Sequence, residues 1–158
     1  MQYKRKLKRY ILAAVMLVLA TYATLFIKDT VDAMNPEKSL PIISVSIGYN
    51  PPAVVRAGYT WNFGLKTVRA PYLSAADVPL MTTDCYPGEH IAVDFSAPYD
   101  FITLYMAEGL ANDDFRQVYN IQTPMEEGVY VFKLVANFKE GDIVYYFAVN
   151  VKTQNLQP

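Results

Sequence analysis

Two patterns of hydrophobic positions divide the chain. Residues 10–27 contain no charged side chain, whereas from about residue 40 onward short apolar runs alternate with polar positions between Gly, Pro and Asn or Asp. The first pattern is typical of a membrane-spanning helix, and the second is typical of strands buried on one face. The sequence therefore predicts one N-terminal helix followed by an all-β domain.

The apolar stretch is long enough to cross a bilayer. Its 18 residues would span about 27 Å as a helix, close to a hydrocarbon core of about 30 Å. Five cations precede it and should stay in the cytoplasm, with the β domain on the other side: Lys4, Arg5, Lys6, Lys8 and Arg9. We predict a cytoplasmic segment (residues 1–9), a signal-anchor helix (10–27) and a polar linker (28–39). The alternative is a secreted protein, because Val31, Asp32 and Ala33 form a cleavage signal ending near Ala33.

The clearest strand signal lies in residues 128–152. Apolar side chains alternate on both sides of a turn at residues 139–142, which predicts a long hairpin. The second face of this hairpin is also apolar, so either the strands are central or that face meets a partner; its residues are Val131, Val135, Val144 and Tyr146.

Shorter alternating runs predict the remaining strands of the domain, which we place at residues 40–152, with a tail at 153–158. The runs lie at residues 41–49, 54–63, 89–96, 100–107 and 115–122. Seven or eight short strands with regular turn signals predict an antiparallel β-sandwich. Cys85 is the only cysteine, so the disulfide of antibody domains is excluded and the wider Ig-like class is the relevant one.

Several motifs of this domain resemble those of a known class. They are Tyr59, Thr60 and Trp61, then Pro87 and Gly88 before Ile91 and Val93, a turn at residues 124–130, and the alternating end of the last hairpin at 145–151. Over roughly residues 40–152 the chain resembles an Ig-like extracytoplasmic domain of membrane-anchored or lipoprotein-type proteins of Gram-positive bacteria. The resemblance implies a fold and a location, and it implies no catalytic residue.

The charge pattern and the reactive side chains limit the chemistry. Beyond the basic segment, 9 basic residues face 15 acidic ones, which argues against a nucleic acid partner. Cys85 and the only histidine, His90, are flanked by Asp84 and Glu89 and could form a metal site or a nucleophile pair. A turn separates them, and such pairs usually come from distant positions, so a buried thiol and a surface histidine are favoured. We predict no catalytic residue, no metal site and no cofactor.

These features predict a non-catalytic binding module. The irregular segment 71–88 and the strands supply four candidate binding aromatics: Trp61, Tyr72, Tyr86 and Tyr146. For Trp61, which alternates with Tyr59 and Phe63, a core anchor is the favoured interpretation and contact with a ligand is the alternative. The partners would be the membrane, through residues 10–27, and an unidentified protein or glycan. One alternative is an accessory or regulatory subunit of a cell-envelope complex that uses its transmembrane helix, and another is a Cys85/His90 enzyme.

Overall fold

The protein is mostly antiparallel β-structure preceded by one long apolar helix. The computed structural model describes the backbone of residues 2–110 and 112–153 and the side chains of residues 8–110 and 112–153. The chain divides into two compact units, residues 1–40 with 62–67 and residues 41–61 with 68–158. Residues 154–158, most of the predicted tail, lie outside the described part.

The N-terminal helix α1 spans Gln2–Met34 and is followed by the short helix α2, Pro36–Ser39. Most of the segment that we predicted as a polar linker is therefore helical, because α1 contains no Gly or Pro to stop it. It ends before Pro36, which disfavours helical geometry at Asn35. Lys8–Met34 is long and apolar enough to cross a membrane, and its best window has a mean hydropathy of 2.2. An N-terminal signal sequence has the same length and apolar character.

The described residues contain nine strands and one 3-10 turn, Ala75–Asp77. The strands are β1 (Ile43–Ile47), β2 (Val55–Asn62), β3 (Thr67–Ala70), β4 (Thr82–Cys85), β5 (Ile91–Phe95), β6 (Phe101–Glu108), β7 (Arg116–Val118), β8 (Gly128–Phe138) and β9 (Gly141–Val151).

The larger sheet is organised around β9. Strand β8 pairs with β9 along its whole length, which confirms the predicted hairpin. On its other edge β9 pairs antiparallel with β2 over residues 141–146 and parallel with β4 over residues 148–151. Strands β6 and β7 continue the sheet beyond β8, and β3 lies beyond β2. Strands β1 and β5 form a separate two-stranded antiparallel sheet.

One face of the hairpin packs against the β1–β5 sheet. The ring of Phe95 lies 5.3 Å from the ring of Phe138 and 6.1 Å from that of Tyr145, between ring centroids. Ile47 and Ile91, one from each of the two small strands, are fully buried. The Phe95–Phe138 contact is edge-to-face, and such contacts add to the stabilisation from apolar burial, so a buried core lies between these two sheets.

The other face of the hairpin is covered by the chain itself. Val131, Val144 and Tyr146 form a second buried cluster with Ala75 and Val78, which lie in the segment after β3. The sequence left two explanations for the apolar character of this face, central strands or contact with a partner. Because the domain itself buries the face, the first explanation is correct. The covering segment is held to β2 by the Leu73 N–H, which donates to the Ala57 carbonyl at 2.8 Å.

Candidate functional site

Two of the four candidate binding aromatics are core residues. Trp61 is 7% exposed and packs edge-on against Phe138, with ring centroids 5.2 Å apart. Tyr146 is 3% exposed, and its hydroxyl donates to the Leu73 carbonyl at 3.4 Å. Burial raises the pKa of the Tyr146 phenol, and the nearby carboxylate of Asp113 adds to the effect. Neither side chain offers a partner more than a small surface.

The other two candidates, Tyr72 and Tyr86, are exposed but lie far apart. The Tyr72 hydroxyl donates to the carboxylate of Asp142, at the start of β9. Tyr86 follows Cys85, which pairs with Val151 at the end of β9. Nine residues of strand separate these two positions, which corresponds to about 30 Å. The structure therefore does not assemble the four aromatics into one site.

The thiol of Cys85 is not prepared for nucleophilic chemistry. Its side chain is 4% exposed, and burial raises the pKa of the thiol to about 11, with smaller contributions from Glu89 and Asp84. The thiol is therefore protonated at neutral pH, whereas a nucleophile or metal ligand must be a thiolate. His90 is exposed on a bridge to Gln122. In the part of the chain that the structure describes, no three His, Cys, Asp or Glu residues are placed to hold a metal ion.

A different surface has the shape of a binding site. Between β5 and the strands β6 and β7 there is a solvent-open cavity of about 160 Å³, which we call the edge groove. It is lined mainly by apolar side chains: Val93, Ile102, Leu104, Val118, Ile121 and Leu134. Tyr119 also borders the edge groove and is 86% exposed. Exposed aromatic rings beside an apolar cavity are common anchors for protein partners.

The edge groove arises where strand β7 ends early. We predicted one strand over residues 115–122, but β7 stops at Val118 and the chain bends at Tyr119 and Asn120. The chain reaches the edge of β5 at Ile121, and the space between β5 and β7 is left unfilled. The sequence did carry a signal, because Val118 and Ile121 are three residues apart and break the alternation of a continuous strand.

The outer edge of β5 has backbone groups that point away from its partner β1. The Ile91 N–H donates to the Ile121 carbonyl at 3.0 Å, so it is directed outward. Alternate residues of an antiparallel strand direct their backbone groups to the same side, and Val93 therefore also presents its N–H and C=O outward. At Phe95 the N–H donates to the Asp94 carboxylate at 2.9 Å. No described residue forms a hydrogen bond with these outward groups of Val93.

The chemistry of the edge groove suits binding. Apart from the phenol of Tyr119 at its border, the lining contains no ionisable group, and Thr103 and Gln117 add neutral polar atoms. No carboxylate, imidazole, amine or thiol is among the described residues that line it. No protein-family model, curated protein or solved structure is similar to this chain. Its function must therefore be inferred from its own residues.

Proposed function

We propose that this protein is a membrane-tethered, extracytoplasmic binding module without catalytic activity, built on an Ig-like β-sandwich. The observation that carries the proposal is the edge groove, an open apolar cavity beside the part of the β5 edge, at Val93, whose backbone groups have no described partner. Concave apolar sites with few polar groups are typical of binding sites, and open strand edges are usually protected when they are not used. The aromatic contacts between the two sheets support the sandwich assignment.

The hydrogen bonds of the apolar helix support a tether. Inside the stretch, the Thr21 hydroxyl donates to the Leu17 carbonyl at 2.9 Å and the Thr24 hydroxyl to the Ala20 carbonyl at 3.2 Å. Polar groups in a bilayer must be satisfied internally. Because these hydroxyls bond to their own helix, they require no partner helix. The basic residues before the stretch support an outside location for the β domain.

A second candidate function is an accessory or regulatory subunit of a cell-envelope complex. Small residues on the helix allow close helix packing, and Ala13 and Ala20 lie seven residues apart, on one face. Exchanging residues 10–27 for an unrelated transmembrane helix tests this function. Loss of activity with normal expression would favour the subunit, and retained activity would favour the tether.

An enzyme that uses Cys85 and His90 is the least supported alternative. The raised pKa of the thiol keeps it protonated, which removes the reactive form at neutral pH. Replacing either residue by alanine should leave any cellular phenotype unchanged. If Cys85→Ala folds normally but loses the cellular function of the protein, the enzyme hypothesis is supported instead.

Two measurements test the proposed function, one of the membrane topology of the chain and one of the contacts that a partner makes at the edge groove. A C-terminal tag on the full chain should be removed when protease is added to intact cells, and the chain should stay in the membrane fraction. A photo-crosslinking amino acid at Tyr119 should then form a specific adduct. The matched position is Tyr49, which is fully exposed and does not line the edge groove. A protected tag, or equal crosslinking from both positions, would contradict the proposal.

A further inference from the structure

We propose that the edge groove binds an extended peptide segment of a partner protein, which adds as a strand to the outer edge of β5. One large apolar side chain of that peptide would enter the cavity. This inference rests on the proposed function and specifies its ligand. It follows from two features that lie side by side, the outward backbone groups of Val93 and the apolar cavity that the Val93 side chain lines.

The backbone of β5 specifies a strand as the ligand. Ile121 and Gln122 already begin to pair with this edge, through the Ile91 hydrogen bond and the antiparallel bridge to His90. The chain bends at Asn120 and Tyr119, and among the described residues this pairing does not extend to Val93. An extended peptide can continue the interrupted pairing, since main-chain hydrogen bonds to an open edge provide affinity for almost any sequence.

The cavity specifies the kind of side chain. Apolar cavities of about 150 Å³ hold a molecule of the size of benzene, and the edge groove has about 160 Å³. A Leu, Ile, Met or Phe side chain therefore fits. Because side chains alternate along a strand, only every second residue of the peptide faces the cavity. The expected motif has one large apolar residue flanked by positions that tolerate polar residues.

Charge and hydrogen bonding argue against other occupants. From residue 41 onward the chain carries 12 acidic and 7 basic side chains, so pairing of two copies would bring like charges together. A lipid chain or another small apolar molecule could fill the cavity but would leave the outward groups of Val93 unpaired. A strand from a different protein can form hydrogen bonds with the outward groups of Val93. If basic residues flank it, its charge also complements the acidic domain.

Defined peptides test the inference on the full chain in lipid nanodiscs. The probes are nine-residue peptides with Thr at odd positions, Lys at even positions, and Ala, Leu or Phe at the centre. Leu and Phe peptides should bind about 10- to 100-fold more tightly than the Ala peptide, because only their side chains fill the cavity. Val118→Phe should abolish this preference by filling the cavity. Ala92→Phe adds the same ring on the exposed side of β5 and should retain it.

Amide hydrogen exchange tests strand addition directly. On saturation with the Leu peptide, exchange at the Val93 amide should slow at least about tenfold. Val45 pairs with Val93 and presents its own amide on the opposite edge of the small sheet, so its exchange should not change.

Any one of four results would overturn the inference. They are equal affinities of the Ala, Leu and Phe peptides, an unchanged preference in Val118→Phe, no protection of the Val93 amide, and dimerisation through β5 that the peptides do not compete with. If the Tyr119 crosslink succeeds while the peptide preference fails, the binding module stands and strand addition is wrong. If the crosslink fails as well, the proposed function fails with it.

Discussion

Replacing Gly58 by alanine places a methyl group where the covering segment crosses strand β2. An ideal Cβ at this position lies 2.6 Å from the Pro71 carbonyl oxygen and 2.7 Å from the Tyr72 Cα. Both are backbone atoms, so a side-chain rotation cannot relieve the overlap. The segment has to move away from β2, and the hydrogen bond from Leu73 to Ala57 then weakens.

Gly58 has a φ of +156°, so alanine there carries backbone strain of its own, as it does at the control position, Gly109. Beyond that strain, the expected loss of stability has two parts. Overpacking a well-packed site costs about 1–3 kcal/mol. Weakening one backbone hydrogen bond costs about 0.5–1.5 kcal/mol. The free energy of unfolding should therefore fall by about 1.5–4.5 kcal/mol from these two parts. The movement also loosens the cover over Val131 and Val144, which are buried beneath this segment.

Urea unfolding of the full chain in detergent micelles measures this loss, with the single tryptophan, Trp61, as the fluorescent reporter. The matched control is Gly109→Ala. Gly109 has a φ of +85° and nothing lies within 4 Å of an added Cβ. This change should therefore lower the free energy of unfolding only through the strain of alanine in a left-handed backbone conformation, about 1–2 kcal/mol. If Gly58→Ala destabilises no more than Gly109→Ala, the close approach does not position the covering segment.

Three further predictions concern individual side chains. Because the pKa of the Cys85 thiol is raised to about 11, iodoacetamide at pH 8.5 should modify the folded chain much more slowly than the urea-unfolded chain. As the pH rises, the thiol of the unfolded chain ionises before that of the folded chain, so the free energy of unfolding should fall between about pH 9 and pH 11. The fall should be smaller in Cys85→Ala, and an equal fall in both proteins would contradict this prediction. Tyr72→Phe should cost about 1–3 kcal/mol in urea unfolding, because it removes the hydroxyl's bonds to both Asp142 and Thr60. Tyr86→Phe, whose hydroxyl has no described partner, should cost nothing measurable, and equal losses would refute the assignment. Trp61→Ala should cost about 3–5 kcal/mol in circular-dichroism melts, whereas a loss below about 1 kcal/mol would mean that the ring is not a core anchor.

Local patterns predicted the hairpin and the apolar helix, because neighbouring residues determine both. The alternation on each side of residues 139–142 fixes a strand pair whose register depends only on a short turn. Burial of the second face of the hairpin could not be predicted, since it depends on an irregular segment some 60 residues earlier in the chain. The burial of Tyr146 was missed for the same reason, whereas the alternating pattern of residues 59–63 already favoured a core position for Trp61 over a role in binding.

The edge groove was beyond prediction for a further reason. Its walls come from β5, β6, β7 and β8, and the cavity exists only because the chain bends away after Val118. The alternating pattern of residues 91–95 showed which side chains face inward. It did not show which backbone edge would lack a neighbour, because that depends on strands distant in sequence.

The position of β9 in sequence has a consequence for when the domain can fold. Strands β2, β4 and β8 all pair with β9, and all of them precede it. During synthesis or membrane translocation their pairing edges stay open until residues 141–151 arrive. Folding dominated by such distant pairings is slow and exposes strand edges meanwhile. On whichever side of a membrane the domain folds, β9 is the strand whose arrival completes the larger sheet.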